Sequence, residues 1–235
     1  MNPDEKNIND IVNFYKNDKL LKFELEGFKK QVENFFLDWP GFVINDKSVI
    51  HSIKSRIKDA EHLRDKLQRK IESGRKITVD NFRNEVTDLI GVRILYLYQD
   101  QFKTIHNEIM KQINERNEWK FMEDPKAYTW DPEAAKTYEA LSIRHEIKET
   151  FYTSVHYVIR PYNNDSPPCC EIQVRTLFEE IWGEIDHTIN YPHATDSIAC
   201  KEQLKVLAKL ISSGTRLSDS IFRSYNEYNE IAKKY

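Results

Sequence analysis

Two short stretches, DLIGVR at residues 88 to 93 and EIQVRT at residues 171 to 176, carry residue types suited to phosphate chemistry. Read with the two-residue period of a strand, EIQVRT sends Ile172 and Val174 to one face and Glu171, Gln173 and Arg175 to the other. Asp88 and Glu171 each stand at the start of an expected strand, where a carboxylate can point past the sheet end into a crevice. Two carboxylates together with substrate phosphates are a common way to hold magnesium, an ion that keeps waters and prefers oxygen ligands. A plain structural account competes, in which Asp88 caps a turn and Glu171 pairs with Arg93 or Arg175 across strands.

Three further constellations have the same double reading. In SRIKDAEHLRDKLQRK, helical spacing gathers Lys58, His62, Lys66 and Arg69 on one side, opposite Ile57, Ala60, Leu63, Leu67 and Ile71. That stripe is either a phosphate-facing ridge or an ordinary solvated face, and Asp65 intrudes on it. In FYTSVHYVI, Tyr152, Ser154 and His156 share one strand face. An aromatic ring with polar partners two and four residues on suits base stacking, and equally suits a core tyrosine beside a satisfied histidine. In WGEIDHTINYPH, the spacing of Glu184, His187 and His193 fits no familiar ligand set, so a protein-ligated transition metal is not expected.

The elements that must position these residues can be read from periodicity. Leu21, Leu25, Phe28, Val32 and Phe35 recur at helical spacing over residues 19 to 39, and Pro40 and Gly41 stop that helix. Residues 1 to about 18 are polar and expected to be loosely held. A second helix is expected over 54 to 72, a turn at 88 to 91, a strand over 92 to 98 and an amphipathic helix over 102 to 114. The mixed stretch 120 to 150, with two Asp-Pro steps, reads as a strand end, a loop and a short helix. Strands follow over 151 to 161 and 169 to 175, separated by the turn PYNNDSPP. From Thr176 the pattern is helical to about Asn190, breaks at Pro192 and resumes over most of 197 to 232. Strands and helices are therefore mixed, the mark of an α/β or α+β sheet layered with helices.

The bulk numbers narrow the function classes. A chain of 235 residues, 40% apolar and 31% charged, is globular and long enough for a sizeable core. A net charge of -3 means that any phosphate-binding patch is local. Three cysteines make no disulfide framework, and Cys169 and Cys170 are neighbours that cannot readily bridge each other. No targeting pattern or apolar run of spanning length appears, so a cytoplasmic protein with no membrane partner is the expectation.

Taken in order, the basic helix, DLIGVR, YTSVH, EIQVRT and WGEIDH…NY resemble the synthetase domain of the RelA/SpoT family, the alarmone synthetases, over about residues 50 to 192. The resemblance implies a mixed, mostly antiparallel, nucleotidyltransferase-like sheet flanked by helices, with the site in a cleft across it. It implies a division into an N-terminal helical segment (1–45), a synthetase domain (46–195) and a C-terminal helix (196–235). It implies a Mg2+-dependent pyrophosphokinase that moves pyrophosphate from ATP to the 3′-hydroxyl of GTP or GDP, forming (p)ppGpp and releasing AMP. Asp88 and Glu171 would hold the metal, and Glu171, directly or through Gln173 and water, would take the hydroxyl proton. Arg56 and Arg93 would sandwich the adenine, and Lys58, Lys66 and Arg69 would neutralise the ATP phosphates. Tyr152 would stack on the acceptor base, with Lys148 and His156 on its phosphates and Gln173 near its ribose. Arg175 would continue the wall of the same cleft, which Glu184, Asp186 and His187 would also line.

Departures from the family pattern fall on the acceptor side. Phe151 and Thr153 replace the usual glycine before the tyrosine and basic or amide residue after it, Pro192 replaces a lysine, and the stretch before Lys148 differs. A relative that uses another acceptor, an adenine nucleotide or the 3′ end of tRNA, therefore stays open beside GTP and GDP. A non-catalytic nucleotide-binding module is the third reading. No His…His-Asp hydrolase pattern accompanies these motifs, so a small stand-alone synthetase, or an excised domain, is expected. The stripe Leu204, Leu207, Ile211, Ile221 and Tyr225 implies packing on the chain's own domain or a homo-oligomer.

Overall fold

A computed structural model describes residues 3–163, 168–191 and 193–232. The expected turn at 161 to 168 lies partly, and the break at Pro192 wholly, outside them. The chain opens with helix α1 (Pro3–Asn17), which corrects the expectation of a loose segment. Ile8, Ile11, Val12 and Tyr15 fall at one helical stripe and are all buried, and the Tyr15 hydroxyl donates to the Lys58 carbonyl at 2.7 Å. Helix α2 (Lys19–Asp38) starts where the Asp18 carboxylate accepts from Leu21 N–H and buries the five residues named above. A hairpin, β1 (Val43–Ile44) and β2 (Lys47–Ser48), turns on Asn45 and Asp46, both with positive φ.

The expected helix over 54 to 72 is in fact two elements, strand β3 (Ser52–Ile57) and helix α3 (Ala60–Glu72), separated by the N-cap Asp59. A one-turn helix, α4 (Phe82–Glu85), leads into β4 (Ile90–Tyr96), and α5 (Gln101–Asn114) follows. The stretch read as a strand end, a loop and a helix holds an eleven-residue strand, β5 (Trp119–Thr129), then α6 (Pro132–Ala140) and β6 (Arg144–Ile147). Strand β5 tolerates Pro125 because its register against its neighbour shifts on either side of Glu123. Strands β7 (Ser154–Pro161) and β8 (Cys170–Thr176) precede α7 (Leu177–Asn190) and α8 (Ile198–Ala232).

Six strands form one sheet in the order β3-β4-β8-β7-β5-β6. The β4–β8 and β5–β6 pairings are parallel and the other three antiparallel, so the sheet is mixed and mostly antiparallel, as expected. One face is apolar: Val92, Ile94, Val155, Tyr157, Ile172 and Val174 are buried in the same core as α1 and α2. Helix α8 packs on α7 through Leu204, Ala208 and Ile211, while Ile221 and Tyr225 of the expected stripe stay exposed. No described helix is long and apolar enough to cross a membrane.

Helix α7 begins with a capping box, in which Thr176 Oγ1 accepts from Glu179 N–H at 3.1 Å and Glu179 accepts from Thr176 N–H at 2.6 Å. Burial pushes the Glu179 carboxyl up to about 7, against the pull of the Thr176 hydrogen bonds and Arg175. Its folded pKa lies above its unfolded one, so ionising it works against the fold: the native state loses stability as pH rises from about 4.3 to about 7. Urea melts of the parent and Glu179→Gln, which retains a capping side chain, are expected to give a stability difference that moves in the variant's favour across that range. A difference independent of pH would contradict this account. Separately, Ile11→Ala is expected to cost about 2–5 kcal/mol, the penalty of a core cavity; an unchanged urea midpoint would mean that α1 is not part of the folded body.

Candidate active site

The face of the sheet opposite the core is polar because register stacks charged residues in rows. Arg56 pairs with Gly91, which pairs with Glu171; one rung on, Lys54 pairs with Arg93, then Gln173, then His156. Registered partners on adjacent strands share a face. A Cβ on Gly91 would lie 3.8 Å from Arg56 Cγ, so the glycine keeps a shallow gap between Arg56 and Glu171. Helices α3 and α7 flank this floor, and rings from both sides, His62 and Tyr191, come within 6.1 Å.

Asp88 lies in the turn that enters β4. One carboxylate oxygen takes Lys58 Nζ at 3.0 Å and Lys66 Nζ at 2.8 Å. Lys58 stands before the α3 N-cap and not on the helix, yet both lysines converge on the same oxygen. Burial opposes ionisation of Asp88, but Lys66 and Lys58 outweigh it and hold the group below the usual carboxylate range. The other oxygen, Oδ1, is buried with no hydrogen-bond partner. An ionised carboxylate with one orphaned oxygen suits an added cation.

Glu171 stands one rung inside β8, on the strand beside β4. Its Oε1 accepts from Gln173 Nε2 at 2.6 Å, and its Oε2 lies 3.8 Å from His156 Nδ1. The other His156 nitrogen is 2.9 Å from the Tyr152 hydroxyl. Burial lowers the His156 pKa against the pull of Glu171, which favours a neutral imidazole, and burial raises that of Tyr152, which keeps its phenol protonated. Tyr152 precedes β7 instead of lying on it, but its ring turns to the same face as expected, with the Arg175 guanidinium 5.7 Å from its centre.

Arg175 itself is buried, and its partner is a residue the sequence motifs did not single out. Glu180, 3% exposed at the head of α7, takes Lys54 Nζ at 2.7 Å and Arg93 Nη1 at 3.1 Å, and pairs with Arg175 as well. Burial opposes its ionisation, but Lys54, Arg175 and Arg93 hold it at about 2. Arg93 also reaches Glu184 at 2.7 Å and Gln173 at 3.3 Å. Gly183 leaves room here for the guanidinium, since a Cβ would sit 2.8 Å from Arg175 Nη1 and force it to shift.

The acceptor-side departures have a physical form. Phe151 holds φ at 64°, the left-handed conformation that a glycine adopts without penalty. Its ring packs 5.0 Å from Trp130, against the cluster of Trp182, Ala208 and Ile211, which offsets the strain. Tyr128 on β5 stands edge-on to His156 at 4.8 Å, with Lys148 Nζ 4.6 Å and Lys126 Nζ 5.0 Å from its ring centre. Both lysines pair with Glu146, whose carboxyl they hold at about 2.

The structure thus brings together Asp88 with Lys58 and Lys66, and Glu171 with Gln173, His156 and Tyr152. It sets others apart. Arg69 is exposed and donates to the Asp65 carbonyl of its own helix, His187 stacks on Tyr191 at 4.6 Å, and Asp186 accepts from Asn190. Among the described residues no three His, Cys, Asp or Glu side chains converge on a metal position. Lys54, Tyr128, Lys126, Glu146, Glu180 and Gly183 were not singled out from sequence. Lys54 was legible, since a strand over 52 to 57 puts it beside Arg56 on one face; Glu180 required knowing how α7 docks.

Comparison with known proteins follows this geometry. A family model described as a region found in RelA / SpoT proteins matches residues 55–196. The GTP pyrophosphokinase YwaC of Bacillus subtilis (strain 168) is 28% identical over 149 residues, 63% of this chain and 62% of that protein, so the chain spans less than two thirds of that relative's length. The crystal structure of small alarmone synthetase 1 from Bacillus subtilis superposes with a TM-score of 0.63 at 21% identity, covering 88% of this chain and 94% of that one. The same enzyme bound to its product pppGpp gives a TM-score of 0.62 at 22% identity and the same coverage. These structural likenesses establish the fold, and the matched region, which holds both carboxylates and the polar face between them, makes this chain a member of the RelA/SpoT family.

Proposed function

We propose that this chain is an ATP:GTP/GDP pyrophosphokinase, with residues 46–195 carrying the chemistry. One observation supports this most: β4 and β8 run parallel and adjacent, so that Asp88, in the turn before β4, and Glu171 stand at the same end of the sheet, with Lys58 and Lys66 on Asp88. Family membership and a structural relative that holds pppGpp point the same way.

In the proposed reaction the acceptor's 3′-oxygen attacks the β-phosphorus of ATP, the bond from that phosphorus to the α-phosphate oxygen breaks, and AMP leaves. Asp88 and Glu171 would hold Mg2+, which neutralises phosphate charge when bound. Glu171 accepts the hydroxyl proton, with Gln173 fixing its carboxylate at 2.6 Å. Lys58 and Lys66 shift from Asp88 towards the donor phosphates, and Arg56 and Arg93 offer guanidinium planes to adenine. Tyr152 takes the acceptor base, its orientation set by His156 and Arg175. Such a site works by positioning two anions and spreading charge, which is what phosphoryl-type transfer demands. ATP and guanine nucleotides are cytoplasmic, so the cytoplasm is the proposed place of action.

Phe151 in place of glycine favours a second reading, in which the acceptor is an adenine nucleotide or a tRNA 3′ end. Chromatography of reactions with GTP, GDP, ATP and tRNA in parallel separates the two. The first reading predicts Mg2+-dependent AMP formation with GTP or GDP, and a product only with another acceptor contradicts it. Asp88→Asn and Glu171→Gln are each expected to lower AMP formation by about 100- to 1,000-fold, the scale of losing one charge-stabilising group, with circular dichroism unchanged. Either variant within threefold of the parent would remove that carboxylate from the mechanism. Glu180→Gln leaves Lys54, Arg93 and Arg175 without their common counter-ion. It is expected to lower the melting temperature and to raise KM for ATP more than it changes kcat; a kcat loss at unchanged KM would mean that Glu180 does more than position the donor cations.

A further inference from the structure

A cavity of about 630 Å³ lies away from the polar sheet face, between α6, α8 and the N-terminal ends of α5 and α7. That volume is in the usual range of small-molecule sites. Phe151 and Thr153 line it, while Tyr152 between them turns to His156 and Arg175. Its apolar walls combine the rings of Phe102, Trp130, Phe151 and Trp182 with aliphatic groups such as Leu141 and Ile211.

Its charged groups are mostly acidic: Asp100 and Glu133 lie in the lining beside the three carboxylates named next, against Lys103, Arg216 and Arg223. Glu179, Asp131 and Asp219 line the cavity. The two arginines there are already engaged: Arg216 pairs with Asp131 at 3.1 Å and with Glu133, and Arg223 makes two contacts of 2.7 Å with Asp100. Two polar atoms in the lining have no hydrogen-bond partner, Thr215 Oγ1 and Gln99 Nε2, and Thr215 is only 7% exposed. Such groups are costly to leave unmet, and a ligand can satisfy them. An entering anion would face five carboxylates against three cations, two of which are already held by Asp131, Glu133 and Asp100, whereas an entering cation finds carboxylates in excess.

We propose that this cavity is a second ligand site, one that takes a flat aromatic molecule bearing a protonated amine. The ring stacks among Trp130, Phe151 and Trp182, the ammonium lies towards Glu179, and Thr215 supplies a further hydrogen bond. Because Phe151 and Thr153 bracket Tyr152, occupancy also sets how freely the acceptor-facing tyrosine moves; this last link rests on the proposed transferase reading, whereas binding does not.

Isothermal titration at pH 8, where Glu179 is ionised, with tryptamine, indole and indole-3-acetate tests the site directly. Arg175 from β8 and Asp131 at the head of α6 are the charged groups facing Glu179 in that state. Tryptamine is expected to bind at one site, and indole-3-acetate at least about tenfold more weakly, the scale of one charge-assisted hydrogen bond. Glu179→Gln, which keeps its helix-capping role, should weaken tryptamine by about the same factor and leave indole within twofold. Ala208→Phe, which fills the cavity, should abolish binding of both. The proposal is overturned if none of the three probes binds, if indole-3-acetate binds as tightly as tryptamine, or if Glu179→Gln and Thr215→Val both leave tryptamine affinity unchanged.

Discussion

Parallel pairing of β4 with β8 is the constraint on which the rest of this molecule depends. With Ile90 opposite Cys170 and Gly91 opposite Glu171, two strands far apart in sequence begin at the same sheet end. The Asp88 turn and Glu171 therefore lie at the same end of the sheet. Antiparallel β3 then returns Arg56 beside Gly91, and antiparallel β7 returns His156 beside Gln173. A slip of one residue would turn Glu171, Gln173 and Arg175 into the core and Ile172 and Val174 out of it. The apolar face, buried under α1, α2 and their neighbours, forbids that slip.

A polar row on a central strand is tolerable only if its members satisfy one another. Here each finds a partner, Glu171 with Gln173, Gln173 with Arg93, and Arg175 with Glu180, and Arg175 Nε is left without one. Glu180 is the hub, a buried carboxylate shared by three cations from three strands. It links the dock of α7 to the position of Arg93, so that helix packing and site geometry are one interaction. Gly183 permits that dock by leaving room for the Arg175 guanidinium.

Much of this is legible in the sequence. The alternation in EIQVRT placed the polar row on one face, and the helical stripes of α2, α5 and α7 follow apolar spacing closely. The misreadings have physical causes. Residues 54 to 56 are polar and lie on an edge strand, so they merge with the basic helix that follows. The Asp124–Pro125 step argued for a loop, and the register shift in β5 made room for it. Helix α1 looked dispensable because its exposed positions are polar, although Ile8, Ile11, Val12 and Tyr15 form a buried stripe. Pairs such as Lys58–Asp88 and Arg175–Glu180 arise from tertiary packing, which no local period encodes. Phe151, read as a departure from a glycine, keeps the glycine's backbone conformation and uses its ring elsewhere.

The central claim is that Asp88 and Glu171 act on one ion together. Electron paramagnetic resonance of Mn2+, titrated into the protein with a non-hydrolysable ATP analogue, tests this without relying on turnover. The account predicts one nucleotide-dependent Mn2+ site per chain, weakened by at least about tenfold in both Asp88→Asn and Glu171→Gln, since each removes a charged ligand. Mn2+ affinity unchanged in either variant would contradict it.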